Sequence, residues 1–291
     1  MRYINLGCGS RCHPAWINID IAPCGPGVIA HDLSRGIPLA DNSCDVVYHS
    51  HLVEHLRPED ALRFMKECYR VLKAGGILRV ATPDLERICR LYLEKLESAT
   101  ASDNDGARDY EWMLLEMYDQ TVREKRGGMM RHYLEQNPLP NENFVYQRIG
   151  EEGRRINRAP RSSAVGKPLS SDQSSRPIFL RLGELRKRRQ RLVHRALNSI
   201  LFYLLGRDGL QALEIGRFRL AGEVHHWMYD RYSLSQLMRA ASFQDPITQS
   251  ATTSQIPQWS SFNLDTLPDG TVIKPDSFFM ESVKPAELAE L

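Results

Sequence analysis

Short apolar runs and longer amphipathic stretches alternate over the first hundred residues of the chain. The runs predict five β-strands, at residues 3–6, 16–19, 28–30, 45–49 and 77–81. Residues 58–73 predict a helix between the last two strands, with Pro58 in its first turn and Gly75 after its end. A second helix is expected after Pro83-Asp84. This alternation indicates an α/β fold with a mostly parallel sheet and helices on its faces.

The pattern changes after residue 100 and returns near residue 216. Residues 108–135 predict helix, whereas 136–178 are rich in Pro, Ser, Arg and Gly without periodicity and predict loop or disorder, above all the basic stretch 150–178. Ser233 opens a predicted helix through a capping box with Gln236. Residues 247–249 and 278–283 are expected to be closing strands. We therefore predict one domain, 1–100 and 215–291, interrupted by an insertion at 101–214.

The overall composition is ordinary, but one segment of the chain is strongly basic. The chain has 291 residues, 42% of them hydrophobic and 25% charged, with a net charge of +2. Residues 151–195 carry 13 Arg or Lys against 4 Asp or Glu, a local excess of +9, so the rest of the chain carries −7. The apolar run 200–205 is too short to span a bilayer, and no basic-then-apolar leader opens the chain. We expect a cytoplasmic protein.

Six cysteines lie in the first third of the chain, at positions 8, 12, 24, 44, 68 and 89, without a CxxC pair. The spacing of Cys8 and Cys12 could supply half of a metal site, but no second pair completes it. Reduced thiols in a cytoplasmic protein are the simpler interpretation.

The first strand ends in Leu6-Gly7-Cys8-Gly9, and glycines at a strand end let a ligand approach the backbone closely. The next strand ends at Asp20, an acidic residue suited to the hydroxyls of a ribose. Positions 10–12 are Ser-Arg-Cys, so the third glycine that a pyrophosphate normally needs is missing. The pattern argues against NAD and favours a nucleoside without phosphates. Asp32, after the third strand, suits an adenine amino group.

His51, Glu54 and His55 spell HxxEH, a zinc-peptidase signature in which two histidines on one helix bind metal. Here the string directly follows a predicted strand and precedes Pro58, which leaves room only for a turn or a short helix. A zinc peptidase is therefore a minor alternative.

Five segments in order resemble class I S-adenosylmethionine-dependent methyltransferases of the type 11 group, in the variety found among surface-polysaccharide and other sugar-modifying genes. They are Ile4-Asn-Leu-Gly-Cys-Gly9, Asn18-Ile-Asp20, residues 37–48, Glu54-His-Leu56 and residues 70–76. His225-His-Trp-Met-Tyr-Asp230 is also typical of that variety. The resemblance covers about residues 3–97 and 222–284, and the insertion lies outside it.

The resemblance implies a Rossmann-like, seven-stranded sheet whose last strand is antiparallel, and S-adenosylmethionine as the cofactor. The implied cofactor contacts begin in the glycine segment, Asn5, Leu6, Gly7, Cys8 and Gly9. They continue with Asp20 and Ile21 at the ribose, Asp32 and Leu33 at the adenine, and His49 after strand four. The chain departs from the pattern at Asn5, where many relatives are acidic, at the missing third glycine, and at Ala74 in place of the usual proline.

Three roles remain open for the histidines. His51 can act as a general base on an acceptor hydroxyl, because imidazole titrates near neutrality. Alternatively, His51, Glu54 and His55, with His225 or His226, bind a divalent metal, or Glu54 and His55 only hold the loop. Trp227 and Tyr229 would either stack on a sugar or plug the core. The candidate catalytic residues are His51, Glu54 and His226, the last acting on an acceptor hydroxyl.

The resemblance implies O-methylation of a sugar, glycolipid or related small molecule. A degenerate domain that binds S-adenosylmethionine as a scaffold or sensor is the alternative, prompted by the missing glycine. Residues 181–205, basic and then apolar, could contact an anionic membrane surface or form a solvated helix packed on the domain. Nucleic acid is not expected as a partner, because few aromatics interleave with the arginines. The oligomeric state stays open.

Overall fold

A computed structural model describes residues 1–101, 104–158 and 201–286, without the side chains of 104 and 105. Its centre is one seven-stranded sheet in the order β3-β2-β1-β4-β5-β7-β6. The strands are β1 (Tyr3–Leu6), β2 (Trp16–Asp20), β3 (Val28–Ala30), β4 (Cys44–Ser50), β5 (Leu72–Pro83), β6 (Gln244–Gln249) and β7 (Ser277–Val283).

The strand directions confirm the expected Rossmann-like sheet. Strands β1 to β5 pair in parallel, and β7 lies antiparallel to both β5 and β6. The carboxyl ends of β1, β2 and β4 therefore meet at one edge, where open α/β sheets bind their ligands. The glycine segment after β1 lies at this edge.

Seven helices accompany the sheet within the described residues. They are α1 (Pro58–Val71), α2 (Leu85–Thr100), α3 (Asn104–Val122), α4 (Gly128–Leu134), α5 (Glu142–Arg158), α6 (201–219) and α7 (Arg231–Ala240). Short 3₁₀ turns occur at Leu33–Arg35, Val53–His55 and Trp259–Phe262. No helix in the described ranges is both long enough and apolar enough to cross a membrane.

Helix α1 covers one face of the sheet because its apolar residues recur at helical spacing. Ala61, Met65, Cys68 and Val71 are fully buried against β-strand residues such as Leu6. Helix α7 packs on the same core through Leu234 and Met238, among others. Its N-cap was predicted three residues late, at Ser233 instead of Asp230. The Asp230 carboxylate accepts the backbone N–H groups of Tyr232 and Ser233.

Helices α2 to α5 form a second apolar core, centred on Trp112 and Met113. Because of this packing, the first compact unit is 1–158 with 222–291, so it continues past the boundary that we predicted at residue 100. The expectation of disorder from residue 150 is wrong for 150–158, which lie in α5. Two features hid this helix: Gly150 kinks it at φ 59°, and Arg148 is a buried charge paired with Glu116.

The second unit is 159–221. Of the predictions made for it, the basic stretch 159–178 and the basic front half of 185–205 lie outside the described residues. Within the described part, residues 201–219 are helical.

Candidate active site

A cavity of about 520 Å³ opens at the carboxyl ends of β1 and β4. One wall is the glycine segment after β1, and the next is Ser50 and His51 after β4. The rest of the lining includes Glu152 and Arg155 on α5, Asp265 and Lys274 in the segment before β7, and Ser277 at the start of β7. The volume is in the range of sites for small molecules and cofactors.

The glycine segment forms a turn that requires glycine. The backbone N–H groups of Gly7 and Cys8 both donate to the carbonyl of Ile19, at 2.8 and 3.3 Å, which ties the turn to β2. Gly7 has φ +63° and Gly9 φ +50°, conformations that L side chains rarely adopt. A Cβ on Gly7 would overlap Leu52, whereas one on Gly9 would meet no protein atom within 4 Å. Gly9 therefore presents bare backbone to open space at the cavity.

The contacts of Asn5 explain why this chain has an amide where the resemblance leads us to expect an acidic residue. Its side chain is buried, and its Nδ2 donates to the carbonyl of Arg11 at 2.8 Å and to Oδ1 of Asn18 at 3.2 Å. Asn18 is its register partner on β2. Both contacts need an N–H donor, which a carboxylate lacks. The amide thus closes the loop after the glycines, and Asn5 also lines the cavity.

Asp20 lies at the end of β2 and holds the same turn from the other side. Its Oδ2 accepts the N–H of Gly9 and its Oδ1 that of Ala22, both at 2.8 Å. A carboxylate has further lone pairs, so these contacts leave acceptors for a ligand hydroxyl. Next to it, Ile21 is 72% exposed, an apolar surface suited to the face of a base. Neither residue lines the cavity itself.

The structure places the remaining predicted cofactor residues, Leu6, His49, Asp32 and Leu33, away from the cavity lining. Leu6 and His49 are fully buried in the core and do not line the cavity; the His49 ring packs edge-on against Phe64. The predicted place of His49 beside the cofactor has no support from the cavity lining, because its side chain is buried between β4 and Phe64. Asp32 caps the Leu33–Arg35 turn, and its hydrogen bonds from Ser34 lower its pKa. Leu33 packs partly against the core.

His51, Glu54 and Ser277 form a chain of polar contacts at the cavity. The Nε2 of His51 lies 2.7 Å from Oγ of Ser277, and its Nδ1 lies 3.2 Å from Oε1 of Glu54. His51 takes the positive φ of 51°, while its N–H donates to the carbonyl of Ala81 at 2.9 Å. A non-glycine residue held in this conformation is uncommon and often lies at a functional site. The sequence prediction of His51 and Glu54 thus picked two residues that the fold brings into contact.

Glu54 is completely buried beneath this contact. Burial alone would raise its pKa, but the hydrogen bond and charge of His51 outweigh burial and hold the pKa well below its usual range. Thr82 donates to its other oxygen at 3.2 Å. The Glu54 carbonyl accepts the backbone N–H groups of His226 and Trp227. This peptide contact brings the 225–230 segment to the HxxEH loop.

The residues of the 225–230 segment take different roles. His226 does not line the cavity, so its predicted contact with an acceptor hydroxyl has no geometric support. Tyr229 is buried in the core, where burial raises its pKa to about 12, and this agrees with the role of a core plug. Trp227 is 49% exposed.

The peptidase interpretation is wrong because HxxEH does not form a helix that carries both histidines. Only residues Val53–His55 form a 3₁₀ turn, and His51 precedes it with positive φ. Ligand atoms of Glu54, His55 and His225 do lie within 4.8 Å of one another, a set that could hold a metal ion. That set shares Glu54 and His55 with the HxxEH string but has His225 in place of His51, so the two histidines of the peptidase pattern do not come together in it.

Several cavity residues have no local signal in the sequence. Asp265 accepts the hydroxyl of Tyr48 at 2.5 Å and a guanidinium N–H of Arg79 at 2.8 Å. Arg79, fully buried on β5, also donates to Glu281. No local spacing marks such contacts, since the partners are about 200 residues apart. The only available signal was an arginine within an apolar strand run.

The order and directions of the strands are those of a Rossmann-like sheet of the kind seen in class I S-adenosylmethionine-dependent methyltransferases. Residues 13–80 match the family model of a methyltransferase domain. A probable S-adenosylmethionine-dependent methyltransferase of Mycolicibacterium smegmatis is 43% identical over 56 residues, which cover 19% of this chain and 21% of that protein. One from Mycobacterium tuberculosis is 48% identical over 48 residues, 16% of this chain and 17% of the relative. The chain thus matches about a fifth of the length of these curated relatives.

Among solved structures, a SAM dependent methyltransferase from Archaeoglobus fulgidus aligns over 97% of this chain and 86% of its own, at 13% identity and a TM-score of 0.37. At that score the likeness supports no inference about activity. The matched relatives are named for S-adenosylmethionine, and the residues at the sheet edge of this chain fit that cofactor. Gly9 offers open backbone, Asp20 keeps free acceptor capacity, and Ile21 offers an exposed apolar surface next to it.

Proposed function

We propose that the chain transfers a methyl group from S-adenosylmethionine to a hydroxyl oxygen of a sugar, glycolipid or related small molecule. The observation that carries the proposal is the contact chain from Ser277 through His51 to buried Glu54. A hydroxyl already lies at hydrogen-bond distance from Nε2 of His51 on the cavity wall. An acceptor hydroxyl in the same position would find its proton acceptor in place.

The proposal needs one tautomer of His51. With the proton on Nδ1, 3.2 Å from Oε1 of Glu54, Nε2 is free to accept from a hydroxyl. The buried carboxylate also stabilises the imidazolium that forms when Nε2 takes the proton. S-adenosylmethionine, when bound, supplies an electrophilic methyl group. The protein's own tasks are to align the acceptor oxygen and to remove its proton.

Other groups of the cavity suit a polar acceptor. The lining combines hydrogen-bonding groups such as Asn5 and Ser50 with the cations Arg155 and Lys274 and with carboxylates such as Glu152. The glycine segment borders the same space, which would bring the donor and the acceptor into one cavity. Hydroxyl-rich small molecules match this lining better than apolar ones.

Calorimetric titration with S-adenosylmethionine and S-adenosylhomocysteine tests the cofactor, and a screen of sugars and glycolipids with labelled methyl donor tests the transfer. We expect binding of both cofactor forms and label on at least one hydroxylated acceptor. Absence of binding by folded protein would contradict the proposal. Binding without transfer to any acceptor would favour a scaffold or sensor instead.

Peripheral membrane contact through 181–205 is a further part of the proposal. Four consecutive apolar side chains, Phe202 to Leu205, are exposed on α6, and the preceding sequence is basic. Such a segment suits an anionic lipid surface that presents a glycolipid acceptor. Co-sedimentation with vesicles that contain phosphatidylglycerol, compared with neutral vesicles, measures this membrane contact. Equal binding to both kinds of vesicle, or no binding to either, would contradict the proposal.

A further inference from the structure

The fold brings together three cysteines that the sequence keeps apart. The Sγ atoms of Cys8 and Cys12 are 3.6 Å apart, and those of Cys12 and Cys24 are 3.8 Å apart. Cys24 follows β2 by four positions, and Cys12 ends the loop after the glycines. Cys8 is buried, whereas Cys12 and Cys24 are exposed. An oxidant therefore reaches two of the three thiols directly.

The exposed pair is attached to the glycine turn. The thiol of Cys24 donates to the carbonyl of Gly9 at 2.8 Å, while the N–H of the same Gly9 donates to Asp20. Residues around the end of β2 therefore hold both the carbonyl and the N–H of Gly9. A chemical change at Cys24 would alter the contacts of the backbone that borders the cavity.

We propose that Cys12 and Cys24 form a reversible disulfide that controls the cofactor turn. A peroxide oxidises one exposed thiol to a sulfenic acid and releases water, and the second thiol displaces the hydroxyl as another water. The two thiols together lose two hydrogens and two electrons, and the peroxide is reduced to two waters. A dithiol reductant reverses the step.

The choice of this pair over Cys8 and Cys12 follows from access, because Cys12 and Cys24 are exposed whereas Cys8 is buried. Burial raises the pKa of Cys8 to about 12, so very little of it is the thiolate that reacts. Cys12 and Cys24 need only bring their sulfurs from 3.8 Å to the S–S bond length of about 2.05 Å. Side-chain rotation on two exposed loops can supply that movement.

The disulfide has a consequence for cofactor binding, and this part rests on the proposed function. Once oxidised, Cys24 has no S–H to donate to the carbonyl of Gly9, so the turn loses its shortest thiol contact, and the longer one from Cys12 is lost with it. Losing one hydrogen bond of ordinary strength weakens binding by about tenfold. The oxidised protein should therefore bind S-adenosylmethionine about tenfold more weakly than the reduced protein.

Full-length protein treated with hydrogen peroxide and digested without reduction tests the pair by peptide mass spectrometry. We expect a Cys12–Cys24 cross-link that dithiothreitol removes, and that is absent from Cys12→Ser and from Cys24→Ser. The matched control is Cys89→Ser, because Cys89 is exposed on α2 away from the turn; it should keep the cross-link. Oxidation of Cys89 without any Cys12–Cys24 link would overturn the proposal.

Calorimetry on the reduced and oxidised protein then tests the control of cofactor binding. Equal affinities in the two forms would overturn that part. If the reduced protein does not bind S-adenosylmethionine at all, the proposed function fails, while the cross-link map still decides whether the disulfide exists.

Discussion

Nε2 of His51 lies 2.7 Å from Oγ of Ser277, although 226 positions separate the two residues. Strand β5 joins them, because the N–H of His51 donates to the carbonyl of Ala81 and Ser277 pairs with Pro83 in the antiparallel ladder. The end of β4 and the start of β7 therefore meet across β5 at the cavity. A parallel strand and an antiparallel strand each contribute one group to the same site.

Replacing His51 with alanine should abolish most methyl transfer while cofactor binding remains. A positioned general base contributes about 10²- to 10⁴-fold to a rate, and His51 contacts the acceptor side of the cavity. Single-turnover transfer with labelled S-adenosylmethionine measures the loss, and calorimetry measures the binding.

Two variants keep this prediction specific. Ser277→Ala removes the hydroxyl that we expect the acceptor to replace, so it should retain most of the transfer. His132→Ala, at an exposed position on α4, should behave as the wild type. Unchanged turnover in His51→Ala would remove the base role and leave positioning as the source of the rate.

The sheet could be predicted from the sequence because its signals are local. The strands that were predicted are short, mostly apolar segments, and α1 repeats its apolar residues at helical spacing, so these elements occur near where the pattern indicates. Helix α5 was missed for a physical reason: Gly150 breaks its periodicity, and Arg148 satisfies its buried charge on Glu116 rather than in water. A pattern of hydrophobic positions cannot show a charge that is buried through a distant partner.

The site was only half predictable. Gly7, Gly9 and His51 follow strand ends, where the local pattern indicates a ligand edge, and all three line the cavity. Ser277 and Asp265 come from segments more than 200 residues downstream, and only the pairing of β7 with β5 brings that segment to the site. The sequence did not show that the side chain of His49 is buried in the core, because neither spacing nor residue type shows which face of a strand points toward the core.

Asn5→Asp should destabilise the fold. The Nδ2 of Asn5 donates to the carbonyl of Arg11 and to Oδ1 of Asn18, and a carboxylate would face both oxygens without a proton. We expect the free energy of unfolding to fall by about 2–3 kcal/mol, the cost of unsatisfied buried groups. Denaturation in guanidinium chloride measures it.

The control for this charge is Asn42→Asp. Asn42 is exposed and its Oδ1 accepts from Lys284 at 2.7 Å, so the added charge there meets a cation and should cost nothing measurable. Wild-type stability in Asn5→Asp would show that the amide is dispensable.

Gly9→Ala should weaken cofactor binding more than it weakens the fold. Gly9 has φ +50°, so alanine costs about 1–2 kcal/mol of backbone strain, but its Cβ meets no protein atom. The methyl group would instead occupy space at the cavity that the cofactor needs. Calorimetry should show at least a tenfold loss of affinity, since 1.4 kcal/mol corresponds to about tenfold.

Gly7→Ala provides the contrast. Its Cβ would overlap Cδ1 of Leu52, so this change should lower stability through packing as well as strain. Equal cofactor affinity of Gly9→Ala and the wild type would show that the cofactor does not approach Gly9.

Stability should fall with decreasing pH below about 6.5, because His49 is fully buried. Burial lowers the pKa of His49 from its ordinary 6.5 to about 4, and neither ring nitrogen has a hydrogen-bond partner among the described residues. Between these two values the unfolded chain binds a proton that the folded chain does not. The proton uptake costs the fold about 1.4 kcal/mol per pH unit in that window, and His225, whose pKa burial lowers to about 3, adds to the slope.

His49→Leu should remove the His49 share of this slope without loss of stability at pH 7. Leucine keeps the packing against Phe64 and removes two ring nitrogens that gain nothing from their burial. Urea denaturation at several pH values between 4 and 7 gives the slope for each protein. His132→Leu, which leaves His49 in place, should keep the wild-type slope. If the dependence of stability on pH is the same in His49→Leu as in the wild type, His49 takes up its proton in the folded state as readily as in the unfolded state. Its side chain would then lie nearer to solvent than its buried position on β4 indicates.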